Sequence, residues 1–518
     1  MTESKKAQAA NSVIWLTLQS IVGRVFSLLT NLALAWLLLE EDFGLYGIAA
    51  TVFAFTNIFN STGSNSFLFA RQKSFKHWSG EVFWLSCLLG VTVSLLTIGV
   101  GVVMTSYFPI EQPVQFLWLL GLMSLIPPVG ALGSVAGAKM RVDFRFREIS
   151  ILESALQIFG ALGKVLLAAC GFGAFSFVLT NIAIALIRSS AFIKLSGFKI
   201  PLSVHLSRWK YFFGKTGALL LTTLSAQLVL SGDYAIVCNF VSRSTLGLFF
   251  FAYNYSAAGV VLLTNGLAVV LLQVVSRERT AEKQMDIFTR AAQFSTAVVF
   301  PLCLLQVALA EPLGYSLLPE KWHRSILLLQ ILSFGMAGRT VSWLASSYLA
   351  AKGKFGFRLK LSIVSSVGFL AFALGACLIG ASISTSWSTE YGMSVLIALA
   401  VGEAIYFPVN AFLFTWFAIR SDTTAPMSKI VEIMGKPALS AGLSVGVGYA
   451  IGRLLFPHWF AAAITIIGVS MTLYWAMLRI VIPDQYKDIR ERTVDVLMKL
   501  KQAAIRLAGK RSGQSTGI

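Results

Sequence analysis

Charge is scarce in this chain. Only 13% of its 518 residues are Asp, Glu, Lys or Arg, about half the roughly 25% of an ordinary soluble protein. That excludes a string of separately solvated domains of about 150 residues each, because there is too little polar surface to cover them. Acidic residues are the rarer sign, 23 against 42 Lys and Arg. Histidine occurs only at 77, 205, 323 and 458, each read as lying in a loop, so a histidine proton relay within the apolar segments is not expected. The five cysteines, Cys87, Cys170, Cys238, Cys303 and Cys377, fall one per apolar segment and never as CxxC. They read as small buried hydrophobes rather than a disulfide framework or metal site. A Walker lysine loop, HExxH, a Gly-rich nucleotide cradle and paired carboxylates in an exposed loop are also missing. ATP-driven transport and catalysis by this chain are therefore not expected, and no catalytic or metal-ligating residue is assigned.

Apolar residues make up 56% of the chain. About 20 of them in a row cross a bilayer, and such runs begin near 11, 44, 81, 114, 150, 177, 217, 246, 291, 326, 361, 393, 438 and 460. The expected fold is an all-α polytopic membrane protein of about fourteen transmembrane helices. The first run, 11–39, is too long for a signal peptide's apolar region and reads as a retained helix. Basic residues orient the set, since Lys and Arg are held on the cytoplasmic side. The even-numbered connections and both termini hold 34 of the 42, the odd-numbered connections only Arg243, Lys321, Arg324 and Arg453. Both ends are then cytoplasmic, and the net charge of +19 orients helices instead of marking a nucleic-acid partner. No outer connection is long enough for a separate domain.

A repeat joins span n to span n+6. EEDFGLY (40–46) corresponds to RSTLGLF (243–249), and AKMRVDFRF (138–146) to AKGKFGFRL (351–359). The alternative is that basic loops resemble one another by composition alone. The repeat implies a six-helix lobe over 1–197, a basic inter-lobe loop over 198–217 and a second six-helix lobe over 218–420. Helices thirteen and fourteen follow over 421–483. The basic tail 484–518 has apolar residues at helical spacing, which suits an amphipathic helix on the membrane surface or a solvated basic one. Two lobes related in this way enclose a central cavity, the usual substrate path of repeat-built transporters.

Six ionisable residues lie inside spans: Arg24, Lys164, Arg188, Asp233, Arg339 and Glu403. Each opposes insertion by roughly 2.5–3.5 kcal/mol at a helix centre. Lys164 and Arg188 are close enough to span ends for snorkelling as an alternative, whereas Arg24 and Arg339 call for a watery cavity or an ion pair. Cationic walls select an anion, and the guanidinium fork suits phosphate oxygens; Arg24, Arg188, Arg339 and Lys164 are the substrate-binding candidates. Asp233 and Glu403 suit coupling to a proton or sodium ion, or a structural pairing with Arg339. Pro127, Pro128, Pro301 and Pro408 interrupt spans as hinges for lobe motion or as packing kinks. Asn31, Asn57, Asn60, Asn254 and Asn265 suit sugar hydroxyls or interhelical hydrogen bonds.

Glu41-Asp42-Phe43-Gly44-Leu45-Tyr46, Arg71-Gln72-Lys73, the Arg141 to Arg147 loop leading into Glu153, and Asp233 followed by Leu246-Gly247-Leu248-Phe249 occur in an order that resembles a known family. The Glu320-Lys321-Trp322 to Lys352-Gly353-Lys354 stretch agrees. The family is the polysaccharide transporter (Wzx-like flippase) family of the multidrug/oligosaccharidyl-lipid/polysaccharide exporter superfamily. The resemblance implies twelve or fourteen helices in two lobes and translocation of undecaprenyl-pyrophosphate-linked oligosaccharide across the bacterial inner membrane by alternating access. Arg24 would meet the pyrophosphate and Asp233 would serve coupling; Glu403 and Arg339 match no family motif. The implied partners are the lipid-linked oligosaccharide, membrane lipid, and a polysaccharide polymerase with its chain-length regulator. The alternatives are an ion-coupled drug exporter of the same superfamily, for which an aromatic, acidic cavity is expected, a polysaccharide polymerase or ligase, which normally needs a large outer loop, and a non-transporting scaffold.

Overall fold

The structure, a computed structural model, describes residues 19–20, 22–23, 26–60, 68, 75–107, 112–143, 145–198, 207–278, 280–383, 391–421, 428–456 and 459–481. Arg24, the Arg71-Gln72-Lys73 loop and the basic tail lie outside them, as does the side chain of Asn265. Every element described is helical. In chain order they are α1 (Phe26–Leu37), α2 (Glu40–Thr56), α3 (Phe75–Tyr107), α4 (Pro113–Met123), α5 (Ile126–Val142), α6 (Phe146–Ala169), α7 (Phe175–Ser196) and α8 (Ser207–Val237). There follow α9 (Arg243–Val275), α10 (Ala281–Leu317), α11 (His323–Ala351), α12 (Phe355–Ile383), α13 (Tyr391–Arg420), α14 (Lys436–Leu455) and α15 (Trp459–Val481).

Twelve helical stretches among the described residues are long and apolar enough to cross a membrane. The shorter apolar α1 and the helix α9 stand where the other two expected spans were read. The protein is a multi-pass membrane protein. All five cysteines are free; Cys303 and Cys377 are buried, but Cys170 is exposed, contrary to the expectation of five buried thiols. Cys170 caps the C-terminus of α6 and ends up outside the packing. His77 and His323 sit in the first turns of α3 and α11 rather than in loops.

The helices group into two compact units. The first takes residues up to Tyr255 together with Leu317–Leu332 and Phe355–Tyr406; the second takes Ser256–Ser316, Ser333–Lys354 and the residues from Phe407 onward.

Prolines set the local geometry in both. A proline has no N–H, so the carbonyl four residues before it loses its helical partner, and in a bilayer no water replaces it. In the first unit α4 gives way to α5 at Ser124–Leu125, just before Pro127 and Pro128. There the Ser94 hydroxyl of α3 donates to the Ser124 carbonyl at 2.5 Å, the one that Pro128 leaves open. In the second unit Tyr474 of α15 donates to the Ala297 carbonyl freed by Pro301, at 2.6 Å. Thr296 of α10 donates to the Ile433 carbonyl freed by Pro437, at 2.7 Å, where the chain before α14 widens into a π turn over Val431–Gly435. At Pro408 the adjoining helix presents Gly338, whose missing side chain leaves room for the Phe407 carbonyl.

The two segments paired by the repeat meet within the first unit. α2 and α9 begin at the equivalent residues Glu40 and Arg243. A Cβ on Gly44 would stand 2.0 Å from the Arg243 carbonyl oxygen, and one on Gly247 would stand 1.9 Å from the Glu40 carbonyl oxygen. Each glycine thus crosses the first residue of the other helix, an approach open only to residues without a side chain. Around this crossing Arg243 Nε donates to the Glu41 carbonyl and its Nη1 to Gln112 Oε1, both at 2.8 Å. Ser244 Oγ donates to Glu40 Oε2 at 2.6 Å. Lys321 Nζ and Trp322 Nε1 donate to the carbonyls of Leu38 and Ala35 at 2.7 and 2.8 Å. Arg243 and Lys321, two of the four basic residues of the odd-numbered connections, thus belong to one interlocked cluster, while Arg453 pairs with Glu311 at 2.9 Å in the second unit.

Candidate functional site

On α6 the residues Glu153, Gln157, Gly160, Ala161 and Lys164 recur every three or four positions and so share a face. Gly160 lets α7 come close, since a Cβ there would meet the Ile184 Cδ1 at 2.7 Å. The face looks into a cavity of about 180 Å³ in the first unit. Leu156, Gln157, Gly160, Ala161 and Lys164 line it from α6, Ile184 and Arg188 from α7, Ser27, Thr30 and Asn31 from α1, with Gly23 just before. Gly23 is part of the reason the space exists: a Cβ there would stand 2.4 Å from Gln157 Oε1.

Two expected binding residues, Lys164 and Arg188, are thus brought together on one cavity. Their environments differ. Arg188 Nη2 lies 2.8 Å from Glu153 Oε2, the side chains 43% and 15% exposed respectively. The Arg188 Nε and the Gln157 Oε1 are buried and make no hydrogen bond among the described residues. Lys164 has no carboxylate at ion-pair distance among the described residues; its Nζ stands 6.0 Å from the Phe177 ring. The described walls therefore carry two cations, with hydroxyl and amide groups between them, and the Glu153 carboxylate pairs with Arg188 beside them. Such a site fits an anion that brings several acceptor oxygens.

The other expected residues are placed elsewhere. Arg339 belongs to the second unit, 5% exposed, with Met336 Sδ at 3.5 Å and the rings of Phe407 and Trp343 at 5.5 and 6.0 Å. Asp233 and Glu403 are buried in the first unit, on α8 and α13. Of the asparagines, Asn31 alone among Asn31, Asn57, Asn60 and Asn254 lines this cavity. A larger cavity of about 400 Å³ in the same unit is walled by Ile48, Val52, Phe55, Leu96, Val100 and Met104 and carries no charge. Sequence reasoning assigned no role to Glu153 or Gln157; their spacing from Lys164 along one helical face was the signal that points to them.

Residues 33–327, over half of the chain, match the family described as polysaccharide biosynthesis protein. The chain belongs to that family. Within it, the chain is similar to the succinoglycan biosynthesis transport protein ExoT of Rhizobium meliloti (strain 1021), at 22% identity over 435 residues, 83% of this chain and 82% of ExoT. It is also similar to the teichuronic acid biosynthesis protein TuaB of Bacillus subtilis (strain 168), at 20% identity over 367 residues, 68% of this chain and 72% of TuaB. In fold it is similar to the lipid II flippase MurJ in an inward closed conformation, with a TM-score of 0.70 at 14% identity over 92% of this chain and 99% of MurJ. An inward-facing multidrug resistance MATE family transporter of the MOP superfamily matches with a TM-score of 0.58 at 15% identity, over 80% of this chain and 100% of that one. The resemblance carried by the loop motifs thus holds across family and fold, and the fold is that of the MOP superfamily. ExoT and the MATE protein are named as transporters, MurJ as a flippase and TuaB as a biosynthesis protein.

Proposed function

We propose that this polysaccharide biosynthesis family member is a flippase. It moves undecaprenyl-pyrophosphate-linked oligosaccharide across the bacterial inner membrane by alternating access, for assembly of a surface polysaccharide. The observation that carries the reading is the cavity where Lys164 and Arg188 stand beside Asn31, Thr30 and Gln157. Intramembrane cations are costly and persist where they serve a pathway, and a diphosphate with attached sugars asks for cations and amides side by side. ExoT is named for succinoglycan transport and MurJ as a lipid II flippase, which supports a lipid-linked glycan as cargo. A drug exporter of the same fold would more naturally present acidic, aromatic walls.

In this reading Lys164 and Arg188 bind the pyrophosphate, with Arg24, next in sequence to Gly23, and Arg339 contributing along the path. Asp233 and Glu403 bind the proton or sodium ion that drives the cycle. Pro127, Pro128, Pro301 and Pro408 serve as hinges, and both termini face the cytoplasm. A polysaccharide polymerase and its chain-length regulator take the product on.

The test is a leaflet-resolved flipping assay with the lipid-linked sugar in proteoliposomes. Losing a charge-assisted contact of about 1.5–3 kcal/mol predicts roughly ten- to a hundredfold weaker substrate binding for Lys164→Ala, with Arg24→Ala lowering transport at equal protein level. Normal flipping by both variants would remove the anion site. For coupling, Asp233→Asn is expected to lose dependence on pH or sodium; wild-type dependence in that variant would take Asp233 out of the cycle.

A further inference from the structure

We propose that Glu153 is an internal counter-anion of the cavity: it holds Arg188 while the cavity is empty and competes with the substrate's phosphate oxygens for it. This rests on the reading of the cavity as the pyrophosphate site. Three features lead to it. The Arg188 Nη2 to Glu153 Oε2 distance of 2.8 Å is that of a charge-assisted hydrogen bond. Arg188 still holds an uncommitted donor, since its Nε is buried without a hydrogen bond among the described residues. Glu153 lies one helical turn from Gln157, which lines the cavity, so the carboxylate sits at the cavity's edge and not in its middle.

The pairing answers a problem that any intramembrane anion site faces. An empty site with two bare cations is costly in the bilayer, while a site that binds phosphate through two uncontested cations releases it slowly. A resident carboxylate relieves both difficulties. Empty, Arg188 is neutralised by Glu153 and, among the described residues of the cavity, Lys164 is left open to attract the incoming anion. Loaded, the phosphate oxygens take the guanidinium and Glu153 loses its partner, which weakens binding enough for release. When the cargo leaves, Glu153 takes Arg188 back. Entry is then steered by Lys164, and exit is assisted by Glu153.

The experiment measures binding of inorganic pyrophosphate, and then of undecaprenyl pyrophosphate, to the full chain in nanodiscs, beside flipping rates at saturating lipid-linked substrate. Glu153→Gln keeps the shape of the side chain and removes its charge. It is expected to bind pyrophosphate about two- to fivefold more tightly, the scale of one partly exposed ion pair given up, and to turn over more slowly at saturation. A brace that merely positions α6 against α7 would give the opposite, weaker binding. Glu153→Asp, whose shorter arm draws the carboxylate away from Arg188, should move both readouts in the same direction by less, and guards against a poorly folding first variant. Binding unchanged or weaker in variants that fold like the wild type overturns the counter-anion role while leaving the cavity's function standing. Failure of both variants to fold assigns Glu153 to the scaffold and overturns it as well. If the wild type itself shows no saturable pyrophosphate binding and Lys164→Ala changes nothing, the anion site falls and this role falls with it.

Discussion

The crossing of Gly44 and Gly247 yields the sharpest quantitative expectation. An alanine at either position places a methyl group 2.0 or 1.9 Å from a backbone carbonyl oxygen of the opposing helix, some 1.4 Å inside ordinary van der Waals contact. The obstacle is backbone in both cases, Arg243 for Gly44 and Glu40 for Gly247, so no side chain can rotate out of the way. The helices α2 and α9 must separate, which stretches the Arg243 to Glu41 and Ser244 to Glu40 hydrogen bonds. Overpacking of this kind costs about 1–3 kcal/mol, with broken hydrogen bonds adding about 1 kcal/mol each. Gly44→Ala and Gly247→Ala should therefore each destabilise the detergent-solubilised protein by about 3–5 kcal/mol, and by similar amounts because the two contacts mirror one another. Once one methyl has pushed the helices apart the second finds space, so the double variant should cost clearly less than the sum. Thermal unfolding of the four proteins in one detergent measures it. Unchanged midpoints in either single variant, or strict additivity in the double, would refute a shared backbone crossing.

Other expectations follow from the same contacts. Thr296→Val strands the Ile433 carbonyl in the apolar interior and should lower stability by about 1–3 kcal/mol, seen as a lower unfolding midpoint; Thr296→Ser, which keeps the hydroxyl, should restore most of it. Tyr474→Phe strands the Ala297 carbonyl and should act alike, with accelerated hydrogen exchange near Pro301 as its local signature. Gly23→Ala should drive the Gln157 amide out of its place in the cavity and reduce pyrophosphate binding without lowering the unfolding midpoint, because the displaced group is a flexible side-chain end; undiminished binding would show that Gln157 is no part of the site. Arg243→Lys keeps charge but cannot reach Glu41 and Gln112 as a fork, and should loosen the α2–α9 junction, read as faster labelling of a cysteine introduced at Ser244.

The helices were legible because each is an uninterrupted apolar run, and the interruption in the fourth was legible because Pro127 and Pro128 remove two successive N–H groups. The pairing of EEDFGLY with RSTLGLF was legible as a repeat, but not its geometry: nothing in two similar heptapeptides says that their glycines cross. Charge counting treated Arg243 and Lys321 as loop cations that merely respect the orientation rule. Arg243 is in fact 8% exposed and committed to Glu41 and Gln112, because the start of α9 is buried against α2. The cavity was half legible. Lys164 and Arg188 stood out as charges within apolar runs, yet the partner of Arg188 is Glu153, 35 residues earlier, and only the packing of α6 on α7 joins them. Gln157 and Gly23 are a flexible amide and a small residue of kinds found throughout such a chain, and their part in the cavity is a consequence of shape.

The prolines bear on how such a protein moves. At Pro128, Pro301 and Pro437 the orphaned carbonyl receives a hydroxyl from a neighbouring helix, from Ser94, Tyr474 and Thr296 in turn. A break secured in this way is not a free joint: displacing it exposes a carbonyl where no water waits to bond it, so intermediate bends are penalised and two discrete arrangements are favoured. Beside Pro408 the adjoining helix presents Gly338, so the two backbones pass close together there. If the expected hinges act in transport, Pro127–Pro128 and Pro301 suit defined end states, while Pro408 suits graded sliding of one backbone over another. The hydroxyl-bearing residues on α3, α10 and α15 thus bear on the cooperativity expected of an alternating-access cycle.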